Sequence, residues 1–210
     1  MIVAEIPPGS LHGTVPAWVW ALALVAGLIA TFTDLRSMRI PNWLTFPLLA
    51  AGLAYGGAKG GWDGLGNAAL GCAIAGAIFV AAYAIAGGGA GDAKLMMAIG
   101  AWVGTYPSVV LVLAVTICGA VWAVAVTTYR DGLSAVPVML MHGVLWTRFL
   151  GLRFVRSAVT GTIFRQKSTR DESIDEAPKP RPKGWFPYAP SILAGTAVAW
   201  WYWQNYGSVI

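Results

Sequence analysis

Long apolar runs separated by short polar segments are the feature that most constrains how this sequence folds. Of its 210 residues, 57% are hydrophobic and only 11% are charged, whereas an average soluble domain carries about 25% charged residues. Runs of this length and composition indicate helices that cross a membrane. We therefore predict an all-α, polytopic membrane helix bundle.

The apolar runs predict about six transmembrane helices, the second and fourth of them short for a crossing. We place them at residues 16–33, 43–55, 65–86, 93–103, 108–129 and 188–204. Glycines in the third run, including Gly71 and Gly76, are expected to let neighbouring helices approach closely. A short crossing leaves a recess where it starts late, and we expect the active site to lie in this recess.

Residues 130–187 depart from the apolar pattern. Apolar residues recur at helical spacing between Val138 and Leu152 beside three arginines, which favours an amphipathic helix in the membrane interface. A proline-rich linker follows. We divide the chain into a tail (1–15), a transmembrane core (16–129), a cytoplasmic insert (130–187) and a last helix with its tail (188–210). The insert either contacts anionic lipid or is a solvated connector.

The basic residues indicate the orientation of the chain. With six crossings, 13 of the 14 Lys and Arg residues fall on one side of the membrane, and only Lys59 falls on the other. The positive-inside rule makes the richer side cytoplasmic. The net charge of +5 is thus explained by topology, and we predict no nucleic-acid partner.

Two carboxylates, Asp34 and Asp92, are expected at matching depth on this basic side. Asp34 follows the first predicted helix, and Asp92 follows a glycine run that precedes the fourth. Ionisable groups at a membrane edge are functional candidates because they are costly there. If the two acids meet, they hold a shared proton. The ionised acid then takes a proton from water while the other donates one to a carbonyl oxygen. This chemistry needs no metal and no cofactor.

Simpler interpretations exist for each acid taken alone. The glycine run can be a flexible turn with Asp92 as a helix N-cap, and Asp34 can be a helix-end residue beside Arg36. Gly89 and Gly91 allow backbone conformations closed to other residues and leave room for a substrate strand. Lys94 is placed to stabilise an anion. It is the combination of the two acids that points to a site.

These stretches together resemble the prepilin peptidase family of GxGD membrane aspartic proteases. Gly89-Ala90-Gly91-Asp92 matches the GxGD element, and Asp34 followed by Arg39-Ile40-Pro41-Asn42 is similar to the family's first aspartate motif. The segment from Phe186 to Pro190 is similar to the proline-containing entry to its last helix. The resemblance implies that Asp34 and Asp92 are the catalytic pair. It also implies substrate-binding or supporting roles for a second group of residues: Gly89, Gly91, Lys94, Arg39, Pro41 and Asn42.

The resemblance further implies a reaction and a location. Members of the family remove the leader peptide of type IV prepilins or pseudopilins at the cytoplasmic face of the bacterial or archaeal inner membrane. Larger members also N-methylate the new terminus and carry a CxxC zinc site. This sequence has no CxxC pair, so we expect peptidase activity only. Its size resembles the form that serves Flp pili. The expected partners are leader peptides and membrane lipid.

Two other classes of function fit parts of the pattern. Paired interrupted helices also occur at transport sites, which makes a small proton- or ion-coupled transporter the first alternative. The second is a non-catalytic subunit of a pilus assembly machine.

Overall fold

The computed structural model describes residues 15–37, 39–86, 89–131 and 187–207, and this part of the chain is almost wholly helical. The predicted N-terminal tail, nearly all of the predicted insert and the last residues of the predicted C-terminal tail lie outside it. No strand occurs among the described residues, so the all-α prediction is confirmed. The helices are α1 (Ala17–Ser37), α2 (Asn42–Ala86), α3 (Ala90–Val103), α4 (Thr105–Asp131) and α5 (Ala189–Tyr206).

Three of the described helices are long and apolar enough to cross a membrane. They are α1, residues 42–83 of α2, and residues 105–129 of α4. This length and composition make the chain a helical membrane protein. The count of six crossings stays a prediction, because α3 and α5 are not among these three.

Helix α2 contains a sharp reversal at Gly60 and Gly61, where the backbone leaves the helical conformation. Gly61 has φ 58°, ψ −138°, in the left-handed half of conformational space that favours glycine. A Cβ on Gly64 would collide with the carbonyl oxygen of Gly56. Residues eight apart in a straight helix are separated by about 12 Å, so this contact shows that the chain doubles back. We call residues 42–59 the first arm and residues 62–86 the second arm.

This reversal corrects one predicted boundary. The glycine-rich sequence predicts a loop over residues 56–64 between two helices. Helical structure instead continues to the glycine pair, because one positive-φ residue suffices to turn the chain. The two predicted helices correspond to the two arms.

Helix α3 packs against both arms of α2 through small residues. On the first arm, a Cβ on Gly52 would lie 2.9 Å from the Trp102 ring, and Trp102 Nε1 donates a 2.8 Å hydrogen bond to the carbonyl of Leu48. On the second arm, a Cβ on Gly71 would collide with the carbonyl oxygen of Gly100. Backbones approach this closely only where side chains are absent.

The same second-arm contact continues along the helix. A Cβ on Gly76 would collide with the side chain of Met97. The close approach predicted at Gly71 and Gly76 is therefore present, and α3 is its partner.

Several helix ends also differ from prediction. α1 continues to Ser37, so Asp34 lies in its last turn and not in the following loop. α3 begins at Ala90, so Asp92 lies inside it. The turn predicted at residues 104–107 is reduced to Gly104, whose φ of 82° ends α3 and lets α4 start at once. In the last turn of α1, Ser37 Oγ donates a 2.8 Å hydrogen bond to the carbonyl of Thr33.

We predict that Gly71→Ala destabilises the protein while Gly66→Ala, in the same arm, does not. The new methyl group at 71 meets the backbone of α3, and overpacking of this kind costs about 1–3 kcal/mol. Nothing lies within 4 Å of a Cβ on Gly66, where alanine favours the helix by roughly 0.5–1 kcal/mol. Unfolding in mixed detergent micelles measures both. Equal stabilities for the two variants would contradict the close packing of α3 on the second arm.

Candidate active site

Asp34 is a buried carboxylate in the last turn of α1, with 8% of its surface exposed. Its Oδ2 accepts a 3.1 Å hydrogen bond from the backbone N–H of Ala189, the first residue of α5. The N–H groups at the start of a helix lack partners within the helix. A carboxylate from α1 thus partners the beginning of a helix that lies 155 positions later in the sequence.

Asp92 is the third residue of α3 and is partly buried. The helix N-cap is Gly89, with φ 78° and ψ 23°, so the interpretation of Asp92 as the N-cap is wrong. A Cβ on Gly89 would lie 3.0 Å from Asp92 Oδ2. Glycine is therefore needed at position 89 for two reasons: the positive φ of the backbone and the space beside the Asp92 carboxylate.

The two sequence motifs meet in space at the start of α3. A Cβ on Gly91 would lie 3.0 Å from Ile40 Cβ, so the segment after α1 lies directly on the GxGD turn. Lys94 Nζ donates a 2.9 Å hydrogen bond to Asn42 Oδ1 and sits 4.9 Å from the centre of the Phe46 ring. These contacts join the beginning of α2 to the helix that carries Asp92.

The remaining predicted residues have different positions. The carbonyl of Pro41 accepts hydrogen bonds from the backbone N–H groups of Leu44 (3.1 Å) and Thr45 (3.4 Å), so Pro41 supports the first turn of α2. Arg39 is exposed.

The structure adds two groups that sequence reasoning missed, namely the Ala189 N–H and the Phe46 ring. A backbone donor leaves no side-chain signal. The nearest sequence signal was the proline-containing entry to α5.

The electrostatic state of the site follows from this geometry. Burial raises the pKa of Asp92 from 3.8 to about 7, and the negative charge of Asp34 adds to the rise. The N-terminal end of the α3 dipole acts in the opposite direction but is outweighed. With its pKa at about 7, Asp92 can hold or release a proton near neutral pH.

This arrangement can perform general acid–base chemistry. An ionised and a protonated carboxylate that reach the same water molecule can activate it and protonate a carbonyl oxygen in one step. The fold and the site together define a class: helical membrane proteins with a pair of coupled acids near helix ends.

Comparison with known proteins identifies the family within that class. Residues 20–124 match the model of the type IV leader peptidase family. This match covers both acids and both motifs, and the chain belongs to this family.

Three relatives carry the name prepilin leader peptidase/N-methyltransferase. The Aeromonas salmonicida protein is 32% identical over 146 residues, the Aeromonas hydrophila protein 34% over 145, and the Neisseria gonorrhoeae protein 35% over 136. The matches cover 66%, 65% and 57% of this chain and 48%, 48% and 47% of the relatives. The chain therefore spans about half the length of the curated relatives it matches. No solved structure gives a significant match.

We predict that Asp34→Asn lowers the pKa of Asp92 without returning it to 3.8. The substitution removes the charge of Asp34, which is the smaller cause of the rise, and leaves burial, which is the larger. Carboxyl ¹³C NMR of aspartate-labelled protein in detergent, with Asp92→Asn to assign the signal, measures the change. An unchanged pKa would show that the two acids are not coupled.

The same shift has a consequence for stability. Because its folded-state pKa is raised, Asp92 supports the folded state most below pH 3.8, and this support is lost as the pH rises towards 7.

Proposed function

We propose that this protein is a membrane aspartic endopeptidase that removes the leader peptide of type IV prepilins, with Asp34 and Asp92 as its catalytic pair. The observation that carries the proposal is the electrostatic coupling of these two acids, which come from different helices and lie 58 positions apart in the sequence. Membership of the type IV leader peptidase family supports it, as does the shared name of the relatives.

The reaction follows the acid–base chemistry of the pair. One carboxylate takes a proton from water, the resulting hydroxide attacks the scissile carbonyl carbon, and the other acid protonates the carbonyl oxygen. No covalent intermediate with the enzyme is formed. General acid–base catalysis of this kind contributes about 10²–10⁴-fold to a rate.

The supporting residues act on the position of Asp92. The Lys94–Asn42 hydrogen bond and the contact of Ile40 with Gly91 fix the first turn of α3 relative to the start of α2. We propose that these contacts hold Asp92 in place while the glycine turn leaves its carboxylate accessible to a peptide.

The distribution of basic residues favours a cytoplasmic site in the inner membrane. Arg36 and Arg39 follow Asp34, and Lys94 follows Asp92, whereas Lys59 lies next to the reversal at the far ends of the two arms. The positive-inside rule places the first three on the cytoplasmic side.

The substrate class is best defined with a panel of prepilins. Flp-like prepilins should be included, since the sequence resemblance suggests that form, together with other type IV prepilins and pseudopilins. Leader removal shows as a shift in gel mobility.

We predict that Asp34→Asn and Asp92→Asn each reduce leader cleavage at least about 100-fold, because Asn keeps the size of Asp but cannot transfer the proton. Asp63→Asn is the matched control, since Asp63 is exposed and lies beside the reversal in α2. Co-expression with each prepilin, followed by gel analysis and a check of membrane insertion, measures the effect.

Two outcomes of this experiment would contradict the proposal. Normal cleavage by both variants would remove the acids from the mechanism. A parent protein that inserts into the membrane but cuts no prepilin in the panel would favour the assembly-subunit alternative.

A further inference from the structure

The entry to α5 is held rigidly beside the pair of acids by two other helices. Trp122 Nε1, in α4, donates a 2.9 Å hydrogen bond to the carbonyl of Pro187. The Tyr188 hydroxyl lies against Gly119, where a Cβ would collide with it, and the Tyr188 ring lies 6.0 Å from that of Phe79. The direction of the next N–H group is therefore fixed by contacts outside α5.

That N–H group belongs to Ala189, and its partner is Asp34 alone among the described side chains. Ala189 is completely buried and Asp34 nearly so, so the bond is made where water competes little. A buried hydrogen bond from an amide to a carboxylate favours the charged form of the carboxylate. The positive end of the α5 dipole acts in the same direction.

Asp92 lies in a different setting. A Cβ on Gly89 would come close to the Asp92 carboxylate. The helix-start N–H described above, that of Ala189, donates to Asp34 and not to Asp92. The two members of the pair are therefore not equivalent, although the sequence presents both simply as aspartates at helix ends.

We propose that the N–H of Ala189 holds Asp34 as the anionic member of the pair, which makes Asp34 the base and Asp92 the acid. This inference rests on the proposed function. Asp34 takes one proton from water as the water oxygen bonds to the carbonyl carbon, and Asp92 gives its proton to the carbonyl oxygen. When the C–N bond breaks, the leaving nitrogen takes the proton from Asp34 and one hydroxyl of the gem-diol returns its proton to Asp92. Both acids regain their starting states, and Ala189 is a positioning residue.

Three cations lie close to the two acids in the sequence. Arg36 and Arg39 are exposed, and Lys94 is hydrogen-bonded to Asn42. Tyr188, which precedes Ala189, interacts electrostatically with Asp92 and Cys118. The Ala189 N–H donates its hydrogen bond to the Asp34 carboxylate itself.

The first test replaces the amide of Ala189 by an ester, using L-lactic acid at position 189. The ester removes the donor and leaves the side chain unchanged. The pH profile of kcat/KM for leader cleavage should keep its descending limb, which reflects Asp92, and its ascending limb should move to higher pH. The matched control is an ester at position 193 made with L-leucic acid, which keeps the Leu193 side chain and removes an ordinary hydrogen bond within α5.

Two results would overturn the assignment. A shift of the descending limb alone would make Asp34 the acid. Identical profiles for the two esters would mean that the Ala189 bond has only a structural role.

The second test does not depend on cleavage. Carbonyl-¹³C tyrosine and ¹⁵N alanine together label only two amides in this sequence, those of Ala84 and Ala189, because Tyr83-Ala84 and Tyr188-Ala189 are its only Tyr-Ala pairs. The Ala189 amide proton signal should move as the pH is raised, should cease to move in Asp34→Asn, and should keep moving in Asp92→Asn. An unchanged titration in Asp34→Asn would overturn the contact, whether or not the parent protein cuts a prepilin.

Discussion

The cost of bringing two carboxylates together at the edge of a membrane is the constraint on which the rest of this structure depends. Burial removes hydration from a carboxylate, and a second carboxylate nearby opposes its ionisation. The surroundings of Asp34 and of Asp92 differ. Asp34 receives a backbone donor from α5, whereas the pKa of Asp92 rises to about 7. In the proposed mechanism Asp92 carries the proton at neutral pH, as water activation by two carboxylates requires.

The position of α3 sets the position of Asp92, and small residues set the position of α3. Gly71 and Gly100 bring the second arm of α2 and α3 into backbone contact, and Gly91 lets Ile40 lie on the first turn of α3. The reversal at Gly61 makes this possible, because it allows both arms of one helix to pack on α3. Residues that lack side chains therefore determine where an ionisable side chain lies.

Sequence reasoning reached the all-α fold and the family because these depend on local patterns, whereas the catalytic role of the two acids stays a prediction. Apolar run lengths predict helices, and a glycine run ending in Asp92 is visible in one short stretch. It failed at two helix boundaries. The sequence predicts Asp34 in a loop, but α1 continues through it to Ser37. It also predicts a loop over residues 56–64, but the chain turns at Gly61 with helix on both sides. The Ala189 donor could not be predicted, since any residue but proline has a backbone N–H.

The proximity of Asp34 and Asp92 is the central claim, and cysteine cross-linking tests it most directly. Asp34→Cys and Asp92→Cys are combined in a protein whose Cys72 and Cys118 are replaced by serine, and membranes are treated with an oxidant or a short thiol cross-linker. The structure predicts a cross-link between positions 34 and 92 and none between positions 63 and 92 in the matching Asp63→Cys pair. Failure of the first pair to cross-link, in protein that inserts normally, would contradict the claim that these two acids form one site.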